Sequence, residues 1–331
     1  MVRPLPLAFT ALALVVLAVA PHAQDMPPGP AAKEASERPA WQAHGLKPQN
    51  PNSPFDEVVS GLYFRSKETQ EMQADDFNNP GFLAVEQGEE LWSKVDGAAG
   101  KSCASCHNEA STSMKGVAAA YPKWNEKLGK PINLEQRINI CRSGAVKAEP
   151  WAFGSSELTA MTTYIRTQSR GMPVAVKVEG PMTPWFERGQ SLYYQRNGQL
   201  DLACASCHEK NHGKYLRADF LSQGQSNGFP VYRLRDQRLV PLHERMEGCM
   251  QDVRATPFQP LSDEFLALET YVAWRGLGLP EQVHRQPGTQ GADRRCSQDG
   301  DDGLAFQKRC EGEHHGMHLA RETLCLRQKL Q

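Results

Sequence analysis

The chain has 331 residues, a formal net charge of −1 and 40% hydrophobic residues. That length accommodates two ordinary domains, and the hydrophobic fraction suits a globular chain rather than a membrane bundle. A charge so close to zero lacks the basic face that nucleic-acid binding needs, so nucleic acid is not an expected partner.

The first element in chain order is an export signal at residues 1–23. Arg3 supplies a positive start, the run from Leu5 to Ala18 is nearly all apolar, and small residues at Ala20 and Ala23 place the expected cleavage near Ala23. The run is shorter than the roughly 20 residues of a spanning helix. No later segment is long and apolar enough to cross a bilayer, so the mature chain is expected in the periplasm without a membrane span; an uncleaved anchor is the alternative. Residues 24–55 are rich in Pro, Ala, Asn and Gln and are expected to be extended or mobile. Residues 56–87 are expected to be ordered against the first domain.

Two runs of identical sequence follow, Cys103-Ala-Ser-Cys106-His107 and Cys204-Ala-Ser-Cys207-His208. Cys-x-x-Cys-His is the attachment motif of a c-type haem: two thiols add across the haem vinyl groups, and the next histidine points at the iron. A thioredoxin-like motif needs no histidine there and sits beside a βαβ pattern, which is missing here. Two covalently bound haem c groups are therefore expected, held by Cys103, Cys106, Cys204 and Cys207, with His107 and His208 as proximal ligands.

The surroundings of the two motifs repeat as well. Gly88-Glu-Glu-Leu-Trp92 precedes the first and Gly189-Gln-Ser-Leu-Tyr193 the second, and each aromatic lies 11 residues before its first haem cysteine. Downstream, Leu134-Glu-Gln-Arg137-Ile-Asn-Ile-Cys141 aligns with Leu242-His-Glu-Arg245-Met-Glu-Gly-Cys249. Each is followed by an amphipathic segment, predicted to start at Ser156 and to run through Tyr164 in the first copy, and from Ser262 through Tyr271 in the second. Each unit thus reads as helix, haem loop, cysteine helix and C-terminal helix. The expected fold is all-α, with two tandem cytochrome c-type domains and little sheet. The expected plan is an extension over 24–75, a first haem domain over 76–178, a second over 179–280, and an atypical tail over 281–331. Pro173 and Pro181 flank the boundary.

The sixth position on each iron decides the chemistry. Met161, Met172 and Cys141 are candidates in the first domain; Met246, Met250 and Cys249 are candidates in the second. The repeat favours Cys141 and Cys249, which occupy equivalent places. A disulfide between them, or burial as inert thiols, is the alternative, though equivalent sites of separate domains usually lie too far apart to bond. An isolated thiol in an oxidising compartment gains protection from iron, which deprotonates and masks it.

With these flanks the sequence resembles the SoxA family, dihaem cytochrome subunits of bacterial thiosulfate-oxidising systems. The resemblance covers roughly 56–280 and rests on Ser60-Gly61, Glu68-Thr69-Gln70, Asp75-Asp76-Phe77-Asn78-Asn79-Pro80-Gly81, Ile138-Asn139-Ile140-Cys141-Arg142, Gln168-Ser169-Arg170-Gly171-Met172-Pro173, and Gly248-Cys249 with Val253-Arg254-Ala255. It implies pairing with a small SoxX-like cytochrome c and oxidative coupling of thiosulfate to a cysteine of a SoxYZ-like carrier. It also implies that Cys249 is the distal ligand of the active-site haem, able to carry an extra sulfur as a persulfide, and that Arg245 lies in the same pocket; both are the expected catalytic residues. An arginine four residues before Cys249 shares its helix face and offers a planar fork for a sulfur oxyanion. For Arg245 the bland alternative is a haem-propionate partner or a surface charge, and for Arg137 that is the preferred reading. His212 and His243 near the second site are expected in surface or core roles.

Two other functions compete. A plain dihaem electron carrier would use Met172 and Met246 or Met250 as ligands. A dihaem peroxidase would need an open distal site with an acid–base group, which the repeated cysteine helices disfavour. Residues 282–331 fall outside the resemblance; they carry Cys296, Cys310 and Cys325 with His314, His315 and His318. A tail with one disulfide and an odd thiol, a histidine metal site and an altered reading frame are the readings considered for them.

Overall fold

Polar side chains cap the helices that begin at Leu134, Ser156 and Asp263. A computed structural model describes residues 44–217 and 219–282. The expected export signal, most of the proline-rich segment and the region of Cys296, Cys310, Cys325 and His314, His315, His318 lie outside the described residues. Among the described residues no helix is long and apolar enough to cross a membrane.

The helices are α1 (Lys67–Ala74), α2 (Phe82–Ser93), α3 (Ala104–His107), α4 (Ala110–Ser113), α5 (Leu134–Cys141), α6 (Ser156–Thr167), α7 (Thr183–Tyr194), α8 (Cys204–His208), α9 (Leu242–Asp252) and α10 (Asp263–Arg275). Their order repeats: α2, α3, α5 and α6 in the first half match α7, α8, α9 and α10 in the second. Among the described residues sheet is confined to three antiparallel two-stranded ribbons: β1 (Lys123–Asn125) with β2 (Lys130–Ile132), β3 (Tyr215–Leu216) with β4 (Asp219–Phe220), and β5 (Val231–Arg233) with β6 (Arg238–Val240). The first and third ribbons are themselves equivalent, since each leads directly into a cysteine helix.

Caps set the helix starts. Asn133 caps α5 by a capping box, accepting from the Gln136 N–H while Gln136 reaches back to the Asn133 N–H. Ser262 caps α10 through the Phe265 N–H. The cap of α6 is Ser155, which accepts from the Leu158 N–H, one residue earlier than expected. With two serines in succession, the one whose backbone is still extended does the capping. Ser155 and Ser262 then become equivalent, as do Tyr164 and Tyr271.

Two helix crossings form the cores, α2 on α6 and α7 on α10. At Gly88 a methyl group would strike the Ala160 carbonyl and Tyr164 Cβ; at Gly189 it would strike the Ala267 carbonyl and Tyr271 Cβ. The glycines of the Gly-x-x-Leu-aromatic repeat therefore permit backbone contact at both crossings. Around them pack Val85, Trp92, Leu158 and Met161 in the first half and Tyr193, Phe265, Leu268 and Tyr271 in the second. Full burial of a side chain such as Phe265 contributes about 1.5–3 kcal/mol.

The extension does not follow expectation. Residues 58–65 pack on elements of the second half: the Val59 N–H donates to Gln223 Oε1 at 2.8 Å, and the Arg65 guanidinium donates to the Phe220 carbonyl at 2.7 Å. Leu46 pairs with Val58 across an isolated bridge, so the polar segment is already ordered by residue 46. Only farther on does the chain reach the first half, where Arg170 holds Asp76 in a two-bonded ion pair at 2.7 and 3.2 Å. The buried backbone of 58–65 finds its partners in the polar loop around Gln223, a choice that apolar periodicity does not encode.

The start of the expected domain boundary is also paired. Gly171 and Met172 exchange backbone hydrogen bonds with Glu281, and Val174 exchanges them with Gly278 and Leu279. The packed chain continues through Glu281 and Gln282. Glu281 forms a buried ion pair with Arg166 at 3.0 Å, and Gln282 is bonded to Ser60.

Candidate haem and thiol sites

The Cys-Ala-Ser-Cys-His turns are helical because their serines close the start of each turn. Ser105 Oγ accepts from the Ser102 N–H at 3.0 Å, and Ser206 Oγ accepts from the Ala203 N–H at 3.1 Å. The same filler in both motifs thus has the same local job.

In the first half α3 carries Cys103, Cys106 and His107, and α5 carries Cys141. Burial pushes the Cys103 thiol up, with Cys141 as the next contribution and Arg142 opposing it; the motif and the helix cysteine therefore face one region. The His107 ring packs tilted on Trp92 at 5.8 Å, and the Trp92 indole donates to the Asn108 carbonyl at 2.9 Å. Past Cys141 the chain forms a π-helical turn over Arg142–Val146. There the buried Arg142 stacks on Trp151 at 3.6 Å and pairs with Asp96 at 2.9 Å. Arg137 is exposed.

In the second half α8 and α9 make the corresponding site. Burial pushes Cys204 up to about 12, and the neighbouring Cys249 adds to it. Cys207 is raised for the same two reasons. Cys249 is partly open at its surface, yet dense packing raises its thiol; Arg245 and Arg233 oppose that rise and Asp252 adds to it. Arg245 is half-buried, unlike its equivalent Arg137. Its positive charge also acts on His208, where burial is the main cause holding the imidazole neutral.

His208 Nδ1 lies 2.9 Å from the Ser222 carbonyl. A carbonyl only accepts, so Nδ1 carries the proton and Nε2 keeps a free lone pair, the arrangement of a metal-binding histidine. Gly224, at φ +76°, lies so close that a Cβ there would sit 2.8 Å from His208 Cγ. A glycine at that point gives the imidazole its place.

These residues fit haem. Each half offers two cysteines on one turn, a following histidine and one further cysteine in electrostatic reach. No disulfide joins any of the six described cysteines, so Cys141 and Cys249 do not form the alternative disulfide. Met161 is fully buried in the first helical core, and Met172 lies against Gly116. Met246 and Met250 line the edge of the second core.

A family model described as SoxA/TsdA, cytochrome c domain, matches residues 87–174 and again 188–280. The chain belongs to the SoxA/TsdA cytochrome c family. Within that family it is 54% identical over 227 residues to the L-cysteine S-thiosulfotransferase subunit SoxA of Pseudaminobacter salicylatoxidans, covering 68% of this chain and 79% of that relative. It is 48% identical over 225 residues to the SoxA subunit of Rhodovulum sulfidophilum, covering 68% and 78%. The crystal structure of SoxXA from P. pantotrophus superposes with a TM-score of 0.67 at 45% identity, covering 70% of this chain and 87% of that one.

The structure adds residues to this family site that the sequence reading missed. Ser222 and Gly224, which set His208, come from a loop without a motif. Arg233, which acts on Cys249, comes from strand β5. The one available signal was the repeat, which places the β5–β6 ribbon directly before α9.

Proposed function

We propose that this chain is the SoxA-type subunit of a periplasmic L-cysteine S-thiosulfotransferase, built as two tandem c-type haem domains over 76–178 and 179–280. It works with a SoxX-like cytochrome, on thiosulfate and a SoxYZ-like carrier thiol. The observation that carries this reading is the second site: Cys249 within electrostatic reach of Cys204 and Cys207, with Arg245 one helical turn before it and Arg233 also acting on it.

His208 and Cys249 would hold the iron of the second haem, and His107 and Cys141 that of the first. Joining a carrier thiol to thiosulfate forms one S–S bond and releases one proton and two electrons. Haem, when bound, supplies a one-electron acceptor. The chain's own residues do the rest. Arg245 presents a planar donor fork to the sulfonate oxygens, and Arg233 adds a second positive charge for a dianion. Cys249 would serve as the sulfur relay: its thiolate joins the outer sulfur of thiosulfate with loss of two electrons, and the carrier thiolate then attacks that sulfur, taking it with its sulfonate and releasing Cys249 as thiolate, while the surrounding packing limits water. Arg137 stands exposed at the equivalent point of the first half, which supports assigning transfer to the second site alone.

Low-temperature EPR of the oxidised holoprotein beside Cys249→Met tests the assignment. The expected result is a His/thiolate low-spin signal that the substitution removes, together with loss of thiosulfate coupling to the carrier. A wild type that shows only His/Met haem would instead establish the electron-carrier function.

A further inference from the structure

The helices that carry Cys141 and Cys249 meet at one buried carboxylate. Glu269, on α10, is 5% exposed. Its Oε2 lies 2.8 Å from His243 Nε2, and it accepts from Asn133 Nδ2 at 3.3 Å. His243 belongs to α9, six residues before Cys249. Asn133 is the cap of α5, eight residues before Cys141. The two thiols therefore stand about 9 and 12 Å along their helix axes from a shared anchor.

The geometry of the anchor is determined at each end. The Leu261 N–H, which can only donate, points at His243 Nδ1 from 3.0 Å. Nδ1 is then the acceptor, and Nε2 carries the proton aimed at Glu269. Phe153 and Phe265 pack beside the same ring at 5.9 and 5.1 Å. At the other end, Asn133 uses Oδ1 to cap α5 and its amide nitrogen for Glu269. The charged groups around the anchor are Glu135 of α5 and Arg166 of α6, which pairs with Glu281.

The helix crossing does not require this carboxylate. The equivalent position on α6 is Thr162, whose buried hydroxyl has no hydrogen-bond partner among the described residues. A carboxylate in such a place is costly unless its oxygens are bonded, and here its bonds go to the two cysteine helices.

We propose that Glu269 is a shared positioning residue: it ties the Cys141 helix, through Asn133, to the Cys249 helix, through His243, so that a change at one thiol is felt at the other. The proposal rests on the reading that both thiols are haem ligands. Such coupling is reciprocal, because the same free energy links the two sites in either direction.

The test uses the full chain with both haems attached, read by low-temperature EPR and redox titration. Cys141→Met and Cys249→Met first assign the two thiolate signals. Glu269→Gln is then expected to shift both signals and both potentials. Asn133→Ala should shift the Cys141 signal most and His243→Asn, which keeps the Leu261 contact, the Cys249 signal most, and either is expected to abolish the shift that substituting one cysteine causes at the other thiol's signal. Should Glu269→Gln fail to fold, these single-arm variants decide. Assigned signals that stay at their wild-type positions in the anchor variants, with at most a lower melting temperature, overturn the proposal and leave the ligand reading intact. Absence of any thiolate signal to assign overturns both.

Discussion

Glu135 shows how one residue carries a pH dependence into the whole chain. It is buried in the first turn of α5; burial raises its carboxyl pKa, and the neighbouring Glu269 raises it further, against the opposing charge of Arg166. In the unfolded chain the same group ionises near the usual glutamate value of about 4.3. The native state therefore holds a proton that the unfolded state has released. Stability from the neutral carboxyl is fully present below about pH 4.3 and is lost as pH rises through the raised native value. Glu135→Gln keeps the shape and removes the ionisation. Urea unfolding followed from about pH 4.3 to neutrality should show a shallower loss of stability in the variant; an unchanged slope would mean that Glu135 is already ionised in the fold. At this scale the two Cys-x-x-Cys-His turns were legible, because the motif demands adjacency in sequence. Ser222, Gly224 and Arg233 were not, because their relation to His208 and Cys249 exists only once the loop and ribbon fold back.

The helical elements were legible from periodicity and caps, and the reason for the repeated glycines lies in how the elements cross. Gly88 and Gly189 sit where α2 meets α6 and α7 meets α10, with no space for a side chain. A methyl group at either position must push two backbones apart. Gly189→Ala is expected to lower stability by about 1–3 kcal/mol, the range for overpacking a close contact, seen as an earlier midpoint in urea unfolding. Gly88→Ala should do the same in the first half. By contrast, Gly100 has nothing within 4 Å of an added Cβ; its φ of +58° makes it a turn residue rather than a packing one. If Gly189→Ala matched the wild type, the tight crossing would be an overestimate. The three ribbons are the elements that periodicity missed. Two or three residues are too few for a period of two to register, and each ribbon is defined by its partner strand.

At the scale of the whole molecule, the two haem-motif halves are held together by segments that look like connections. Residues 171–174 pair with 278–281, and the Arg166–Glu281 ion pair, with side chains 10% and 3% exposed, seals that junction. Removing one partner of a buried pair leaves the other charge without compensation. Glu281→Ala should therefore cost about 3–5 kcal/mol, measured by denaturant unfolding, and the double variant Arg166→Leu with Glu281→Ala should recover part of the loss. A single variant as stable as the wild type would show that water reaches Arg166. The sequence alone determined the haem motifs, the duplication, the helix order, the equivalence of Cys141 and Cys249 and the family resemblance. These are properties of spacing and period along one chain, which need no knowledge of what packs against what. Tertiary structure decided that the extension joins the second half, that Ser155 rather than Ser156 caps α6, that Arg245 is sheltered while Arg137 is open, and that Asn133, Glu269 and His243 meet. Each of those depends on contacts between residues distant in sequence, where burial and the need to bond every buried polar group choose among partners that local pattern leaves equal.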